Sequence, residues 1–181
     1  MTISDAIVSG DTADIYFQRT REILQREGLD PVVVMEIFPS RDGILCGMTE
    51  ALALLNQVLP ENAPVWALDE GAPMSAKEIV LRIRAPYSAF GLYETAILGI
   101  LASQSGWATA ARRIVETAAP APVISFGARH VHPNVSAQME YAAIIGGCAT
   151  CATPAGARLA NKQPSGTMPH ALILILGDTV R

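Results

Sequence analysis

The apolar positions Ala13, Tyr16, Phe17, Ile23 and Leu24 recur at helical spacing, with Asp11 or Thr12 as a cap and Gly28 as a left-handed stop. They predict a helix that packs one face. Val32 to Phe38 is a near-continuous β-branched and apolar run broken by Glu36. The turn Pro39 to Gly43 leads into a second run, Ile44 to Cys46, so the two runs are expected to be neighbouring strands. Met48, Leu52, Leu55 and Val58 mark a helix that Pro60 ends, and Val65 to Leu68 is a third strand. Ile79, Leu81 and Ile83 alternate with Val80, Arg82 and Arg84, the period expected of a strand with one buried face, and Pro86 stops it. Arg82 and Arg84 then belong to a solvated face. Ser88 to Ala102 carries Leu, Ile and Ala at helical spacing, with Gly91 and Gly99 allowing close packing. A second helix is expected from Trp107 to Ala118, on which Arg112 and Glu116 are spaced to pair on the surface.

The rhythm changes after Ala118 to Pro122, which reads as a domain linker. Short strands then alternate with short helices: strand Val123 to Gly127, helix Asn134 to Ile145 ending at Gly146-Gly147, and strand Ala149 to Ala152. A helix capped by Thr153, with Pro154 at its first position, runs to Ala160, followed by strand Ser165 to Met168 and the apolar helix His170 to Leu176. The predicted class is α/β: an amino-terminal α/β (α+β) domain over residues 1–119, then over 120–181 the first three βα units of an incomplete TIM-like βα barrel. A barrel closes at roughly eight strands, so three units leave an open edge and an uncovered apolar helix. The chain is therefore expected to be the amino-terminal part of a longer enzyme or to depend on a partner.

Composition narrows the function classes. Half of the 181 residues are hydrophobic, the mean hydropathy is +0.30, and a substantial core is possible. Charged residues make up 17% and the net charge is −4, so no long-range basic field draws the chain to nucleic acid or to an anionic membrane. No apolar run reaches the ~20 residues of a bilayer span, and Met1 to Gly10 lacks the basic start and apolar core of a signal peptide. A cytoplasmic location is expected. Cys46, Cys148 and Cys151 cannot form a complete disulfide framework. Cys148-Ala-Thr-Cys151 has the spacing of half a zinc site, but no second pair follows, so small buried cysteines are expected and no metal ligand is assigned.

The densest candidate chemistry lies in Pro122 to Pro133, where an apolar strand runs into a cationic turn. Gly127 frees the backbone, and Arg129 and His130 follow at the strand's carboxyl end, where βα folds place ligands. Arg129 offers a planar fork of donors to a carboxylate or phosphate, and His130 titrates or donates near neutral pH. An anionic ligand is expected. His132, beside Pro133 and Asn134, reads as a helix-start residue and is left out of catalysis.

Four stretches carry a family resemblance: Asp14-Ile-Tyr16, Phe126-Gly-Ala-Arg-His-Val-His-Pro133, Met139-Glu-Tyr-Ala-Ala with Gly146-Gly-Cys148, and Pro164-Ser-Gly-Thr-Met-Pro-His170. The chain resembles the nicotinate phosphoribosyltransferase family, related to quinolinate phosphoribosyltransferase. The resemblance implies transfer of a phosphoribosyl group from phosphoribosyl pyrophosphate to nicotinate in NAD salvage, giving nicotinate mononucleotide and pyrophosphate. It also implies Mg2+ at the pyrophosphate, ATP coupling in some members, and a homodimer or higher homo-oligomer with sites built between subunits. On the same basis Arg129, His130 and His170 are expected to be catalytic, His170 matching a histidine phosphorylated in the ATP-coupled members, while Tyr16, which would stack on the pyridine ring, Arg129, Lys162 and Thr167 are expected to bind substrate. The chain departs from the family in reading Thr12-Ala13-Asp14 where Thr usually precedes Asp directly. Two alternatives stay open: quinolinate phosphoribosyltransferase, and a truncated oligomerisation partner without activity.

Overall fold

The computed structural model describes residues 3–178, so the readings of the first ten residues and of the stretch reaching Arg181 fall partly outside it. In chain order the elements are α1 (Asp5–Val8), α2 (Ile15–Arg26), β1 (Val32–Ile37), β2 (Gly43–Ile44), α3 (Met48–Val58), β3 (Val65–Ala67), β4 (Pro73–Met74) and β5 (Leu81–Pro86). They continue with α4 (Tyr87–Phe90), a 3-10 turn (Gly91–Tyr93), α5 (Glu94–Ala118), β6 (Ile124–Ser125), a second 3-10 turn (Gly127–His130), α6 (Pro133–Ile145), β7 (Thr150–Cys151), α7 (Pro154–Leu159) and α8 (His170–Leu176).

An antiparallel sheet of order β1-β5-β3 forms the first layer. Its register sets Met35 against Ile83 and Ile37 against Leu81 on the inner face, and Glu36 against Arg82 and Val34 against Arg84 on the outer one. This is the solvated arginine face expected from the alternation, and Arg82 closes a 2.7 Å ion pair with Glu36 across the strands. The inner face packs on α3 and the first half of α5, burying Leu54, Leu55, Leu81, Ile83, Phe90 and Ile97. Each such side chain contributes about 1.5–3 kcal/mol relative to exposure. Ile79 does not share that face: it is exposed, and Val80, whose N–H reaches the Ile37 carbonyl at 2.9 Å, is buried in its place.

Several expected elements differ. β2 pairs with β4, not with β1. Its backbone is satisfied elsewhere, since the Ile44 N–H donates to the Thr109 hydroxyl at 2.9 Å. α1 was not foreseen, and α2 starts at Ile15 rather than behind Asp11 or Thr12. The two helices expected from Ser88 to Ala118 are a short turn plus one continuous α5 of 25 residues. Ser103 to Gly106 does not interrupt it because Gln104 and Ser105 face buried polar partners instead of solvent. Gly91 is close-packed against the Tyr87 ring, but Gly99 has nothing within 4 Å of a Cβ built there. Arg112 donates from Nε to the Gly146 carbonyl at 2.9 Å instead of pairing with Glu116.

The carboxy-terminal portion pairs β6 and β7 in parallel, Ile124 beside Thr150 and Ser125 beside Cys151. α6 lies against α5, with Ala142 and Tyr141 buried on Ala108 and Cys46. The third strand, expected at Ser165 to Met168, does not form. Only the Ser165 N–H reaches the Cys151 carbonyl, at 2.9 Å, and no ladder follows between Pro164 and Pro169, neither of which has an N–H to give. Among the described residues the fold is therefore mixed α/β with one parallel pair, and no barrel is seen. α8 leaves Leu174 and Ile175 81% and 82% exposed. No helix of the described residues is long and apolar enough to cross a membrane.

Two tests follow from this packing. A Cβ at Gly146 would stand 2.3 Å from the Ala108 carbonyl oxygen, so Gly146→Ala pushes α6 off α5 and costs about 1–3 kcal/mol, whereas Gly99→Ala gains up to ~1 kcal/mol of helix propensity. Urea denaturation of both variants measures the contrast. The second concerns Glu50, whose carboxyl is raised above its ordinary 4.5, mainly by burial, while a 2.6 Å hydrogen bond from Gln104 Nε2 opposes the shift. A raised acid favours folding when protonated, so its contribution is complete below about pH 4.5 and is lost as pH rises through the folded value. Glu50→Gln, which keeps the acceptor, should raise the melting temperature at pH 8, with the gain vanishing toward pH 4.

Candidate functional site

β6 delivers the chain to the turn Gly127–His130 at its carboxyl end. A Cβ on Gly127 would sit 2.9 Å from the Met139 methyl, so glycine lets this turn press onto α6. Arg129 and His130 emerge there exposed, and among the described residues neither side chain has a hydrogen bond or ion pair. His132 caps α6, its Nδ1 accepting from the Asn134 N–H at 3.2 Å, which accords with its reading as a helix-start residue.

The parallel neighbour is held by a buried carboxylate. Glu140 is 0% exposed on α6 and accepts from the N–H groups of Ala152 and Thr153, both at 3.1 Å, and from the Thr153 hydroxyl. Thr153 in turn caps α7, its Oγ1 accepting from the Gly156 N–H at 3.2 Å. Gly156 has no alternative side chain, since a Cβ would approach the Glu140 Cβ to 2.6 Å. The turn leaving β7 is thereby locked to the helix that carries the Arg129 turn.

Past α7 the chain returns to the start of β7 and runs alongside it. The Lys162 N–H bonds the Ala157 carbonyl at 2.8 Å, the Thr150 hydroxyl donates to the Gln163 carbonyl, and the site of a Gly166 Cβ lies 3.9 Å from the Phe126 ring. Thr167 and His170 therefore stand on exposed backbone just beyond Gly166, near the turn from which Arg129 and His130 project, whereas Lys162, one residue before the Gln163 carbonyl that the first residue of β7 bonds, stands exposed at that strand's amino end. The arrangement offers several cationic or neutral donors to an anion.

Tyr16 is anchored elsewhere. Asp14, just before α2, donates its N–H to the Thr95 hydroxyl at 3.1 Å and accepts that hydroxyl's proton at 2.9 Å, which ties Tyr16 to the first turn of α5. The carboxy-terminal portion packs instead on α5 near Ala108 and Ala111, through α6 and the flanking Val123 and Cys148. From Thr95 to Ala108 the helix rises about 20 Å. Tyr16 is 55% exposed with its ring 4.2 Å from that of Phe17. Its phenol is held above the ordinary range by desolvation, then by Asp14 and Glu94, so it is an uncharged donor at neutral pH. Burial likewise raises Glu94, and it raises Tyr87 with help from Glu94.

Cys148 and Cys151 are buried, as their spacing after Gly-Gly suggested. Burial, then Glu140, pushes the Cys151 thiol up to about 11, so it is not poised as a thiolate. Glu140 and the Asp14–Thr95 pair were not assigned roles from sequence. The available signal for Glu140 was an acid inside the apolar run Val135 to Ile145, four turns of chain ahead of a Thr-Pro helix start.

Removing Glu140 orphans two N–H groups. Glu140→Ala should cost about 3 kcal/mol in urea denaturation. It should also speed alkylation of Cys151, because the opened turn exposes the thiol and the charge raising its pKa is gone. Unchanged stability and labelling would show that the clamp is dispensable.

Comparison with known proteins places this geometry. The pattern of the quinolinate phosphoribosyl transferase N-terminal domain matches residues 14–105. A nicotinate phosphoribosyltransferase of Bacillus subtilis is 36% identical over 115 residues, 62% of this chain and 23% of that protein. One of Mycobacterium tuberculosis is 31% identical over 110 residues, 60% of this chain and 24% of that protein. Among solved structures, nicotinate-nucleotide pyrophosphorylase from Pyrococcus furiosus superposes with a TM-score of 0.88 at 40% identity, over 99% of this chain and 47% of that one. Human nicotinic acid phosphoribosyltransferase shares the fold, with a TM-score of 0.77 at 19% identity over 90% of this chain and 40% of that one. The matched stretch is thus about a quarter of the curated relatives and less than half of these two structures. With the family pattern covering its α2-to-α5 body, the chain belongs to the quinolinate phosphoribosyl transferase family and carries that family's amino-terminal domain.

Proposed function

We propose that this chain supplies the amino-terminal domain, residues 1–119, and the first βα units, residues 120–181, of a phosphoribosyltransferase that uses nicotinate. The observation that carries the reading is the Arg129-His130 pair, unpartnered among the described residues at the carboxyl end of β6, with the Gly166 stretch that leads to Thr167 and His170 beside the same strand end. The names of the Bacillus subtilis and Mycobacterium tuberculosis relatives support nicotinate as the base.

In such a transfer the pyridine nitrogen displaces pyrophosphate from a sugar carbon that becomes cation-like, while charge grows on the leaving group. The protein's work is positioning and charge stabilisation. Arg129 forks onto the nicotinate carboxylate or a phosphate, His130 adds a donor beside it, and Lys162 and Thr167 contact phosphate. His170, exposed at the start of α8, is the proposed phosphate acceptor of an ATP-coupled cycle. Tyr16, exposed and anchored on another part of α5, is proposed to stack on the base in the site of a second copy, within a cytoplasmic homodimer or higher homo-oligomer. Among the described residues no three His, Cys, Asp or Glu side chains cluster to hold magnesium, so no step here runs through that ion.

Quinolinate is the second reading, favoured by the matching family pattern. Its second carboxylate demands further cationic groups in the base pocket. The test supplies phosphoribosyl pyrophosphate with either base to a full-length protein carrying this chain and follows mononucleotide by absorbance. Turnover of nicotinate alone is expected, and turnover of quinolinate alone would overturn the assignment. Arg129→Ala should lower kcat/KM on the order of 10²-fold or more, because a desolvated anion loses its fork. Near-normal turnover in that variant removes Arg129 from the site. His170→Ala should abolish ATP stimulation while keeping part of the basal transfer, and equal stimulation in both proteins would exclude a phosphohistidine.

A further inference from the structure

A second concavity lies on the amino-terminal body, lined by none of the residues discussed above as substrate contacts. Its volume is 630 Å³, and it opens between the loop after β1 and the outer side of α5. Phe38 and Leu98 form apolar walls, while Arg41 on the loop and Arg113 on the helix line it from opposite elements. Ala102, on the helix between them, leaves the groove open.

We propose that this cleft binds a small amphipathic anion, a flat or aliphatic apolar body seated between Met74 and the Gly106 to Ala110 stretch of α5 with a carboxylate, sulfonate or phosphate held by Arg41 and Arg113. Three observations carry this. Among the described residues neither arginine has an ion pair or side-chain hydrogen bond, in a chain whose 17 acids outnumber its 13 Lys and Arg. Arginine left unpaired on both walls of an apolar hollow is complementary to an anion. The one carboxylate lining the cleft, Asp42, is engaged, with Oδ1 accepting from the Ala76 N–H at 2.8 Å. The polar floor is also spent, since the Thr109 hydroxyl serves the Ile44 N–H and the Ser105 hydroxyl serves Cys46. What remains is apolar wall, the Ser40 hydroxyl and the two guanidinium groups.

Size selects a small molecule over a macromolecule. The volume falls within the roughly 300–1,000 Å³ of small-ligand pockets. A stable protein interface needs about 800 Å² from each partner, more than such a hollow provides. Lys77 lies near the rim with Nζ 4.7 Å from the Phe38 ring centroid, which adds positive charge beside the same wall. Occupancy would brace the loop after β1 against α5 and stabilise the folded chain by mass action.

The test is calorimetric titration with anilinonaphthalene sulfonate, an amphipathic anion. It is run in a Leu174→Glu, Ile175→Glu background so that the exposed end of α8 does not compete for the dye. One saturable site per chain is expected. Arg41→Ala and Arg113→Ala should each weaken it about tenfold or more, and Ala102→Trp, which fills the groove from an exposed position, should abolish it. Circular dichroism verifies that each variant is folded. Affinity unchanged in both arginine variants overturns the proposal. So does sedimentation showing a dimer that Ala102→Trp converts to monomer, which would make the cleft a contact between copies of this chain.

Discussion

Everything in the amino-terminal body depends on satisfying the polar groups buried where α5 crosses the segment joining β2 to α3. That segment forms little sheet of its own, so its backbone needs side-chain partners. α5 supplies them: Ser105 Oγ accepts from the Cys46 N–H at 3.0 Å and donates to the Cys46 carbonyl at 3.1 Å, and Thr109 receives the Ile44 N–H. Glu70 closes the other side, taking the N–H groups of Gly47 and Thr49, both at 2.7 Å, at the start of α3. Gly47 is the only residue type at ease there, with φ of +94°. The sheet, α3 and α5 can share one apolar core because this seam gives the backbone from Ile44 to Gly47 partners away from water.

The carboxy-terminal portion repeats the solution with a different acid. Glu140 sits in the interior of α6 and ties down the turn after β7. α6 then docks on α5 through contacts that Gly146 makes possible and Arg112 closes. Rigid positioning of the exposed Arg129 turn thus traces back, through α6, to the polar seam of α5. Tyr141 joins both halves physically, buried beside Cys46, with its phenol pushed up to about 12 by burial and then by Glu70. Donors on the strand ends are free to meet an anion because the buried acids below them are already occupied by backbone.

Legibility followed periodicity. Strands β1 and β5, helices α3 and α6, the Thr153 cap and the parallel β6–β7 pair all stand close to where hydrophobic spacing put them. What failed was partner choice. β2 was expected beside β1, but its hydrogen bonds go to β4 and to α5, and nothing local in Ile44 to Cys46 distinguishes those outcomes. α5 was cut in two at Ser103 to Gly106 because Ser and Gly are poor helix formers in isolation. The cost is offset by buried hydrogen bonds to residues far away in sequence, such as Gln104 to Glu50, 54 positions apart. The strand expected at Ser165 to Met168 lacked a neighbour to complete its ladder.

For the site, sequence alone determined the kinds of group and their order along the chain: a glycine-freed turn bearing Arg129 and His130 after a strand, then Lys162, Thr167 and His170 after the next. Residue chemistry and the period of the surrounding pattern are local properties, so they survive in one dimension. Tertiary structure decided which groups share a place. It brings the stretch before Thr167 near the Arg129 turn, leaves Lys162 at the amino end of β7, anchors Tyr16 on a different part of α5, and gives Glu140 its partners. It also sets Arg41 and Arg113 across one hollow although 72 positions separate them in the sequence. Such proximities arise only when apolar faces pack and buried donors find acceptors, and both depend on contacts between residues far apart in the chain.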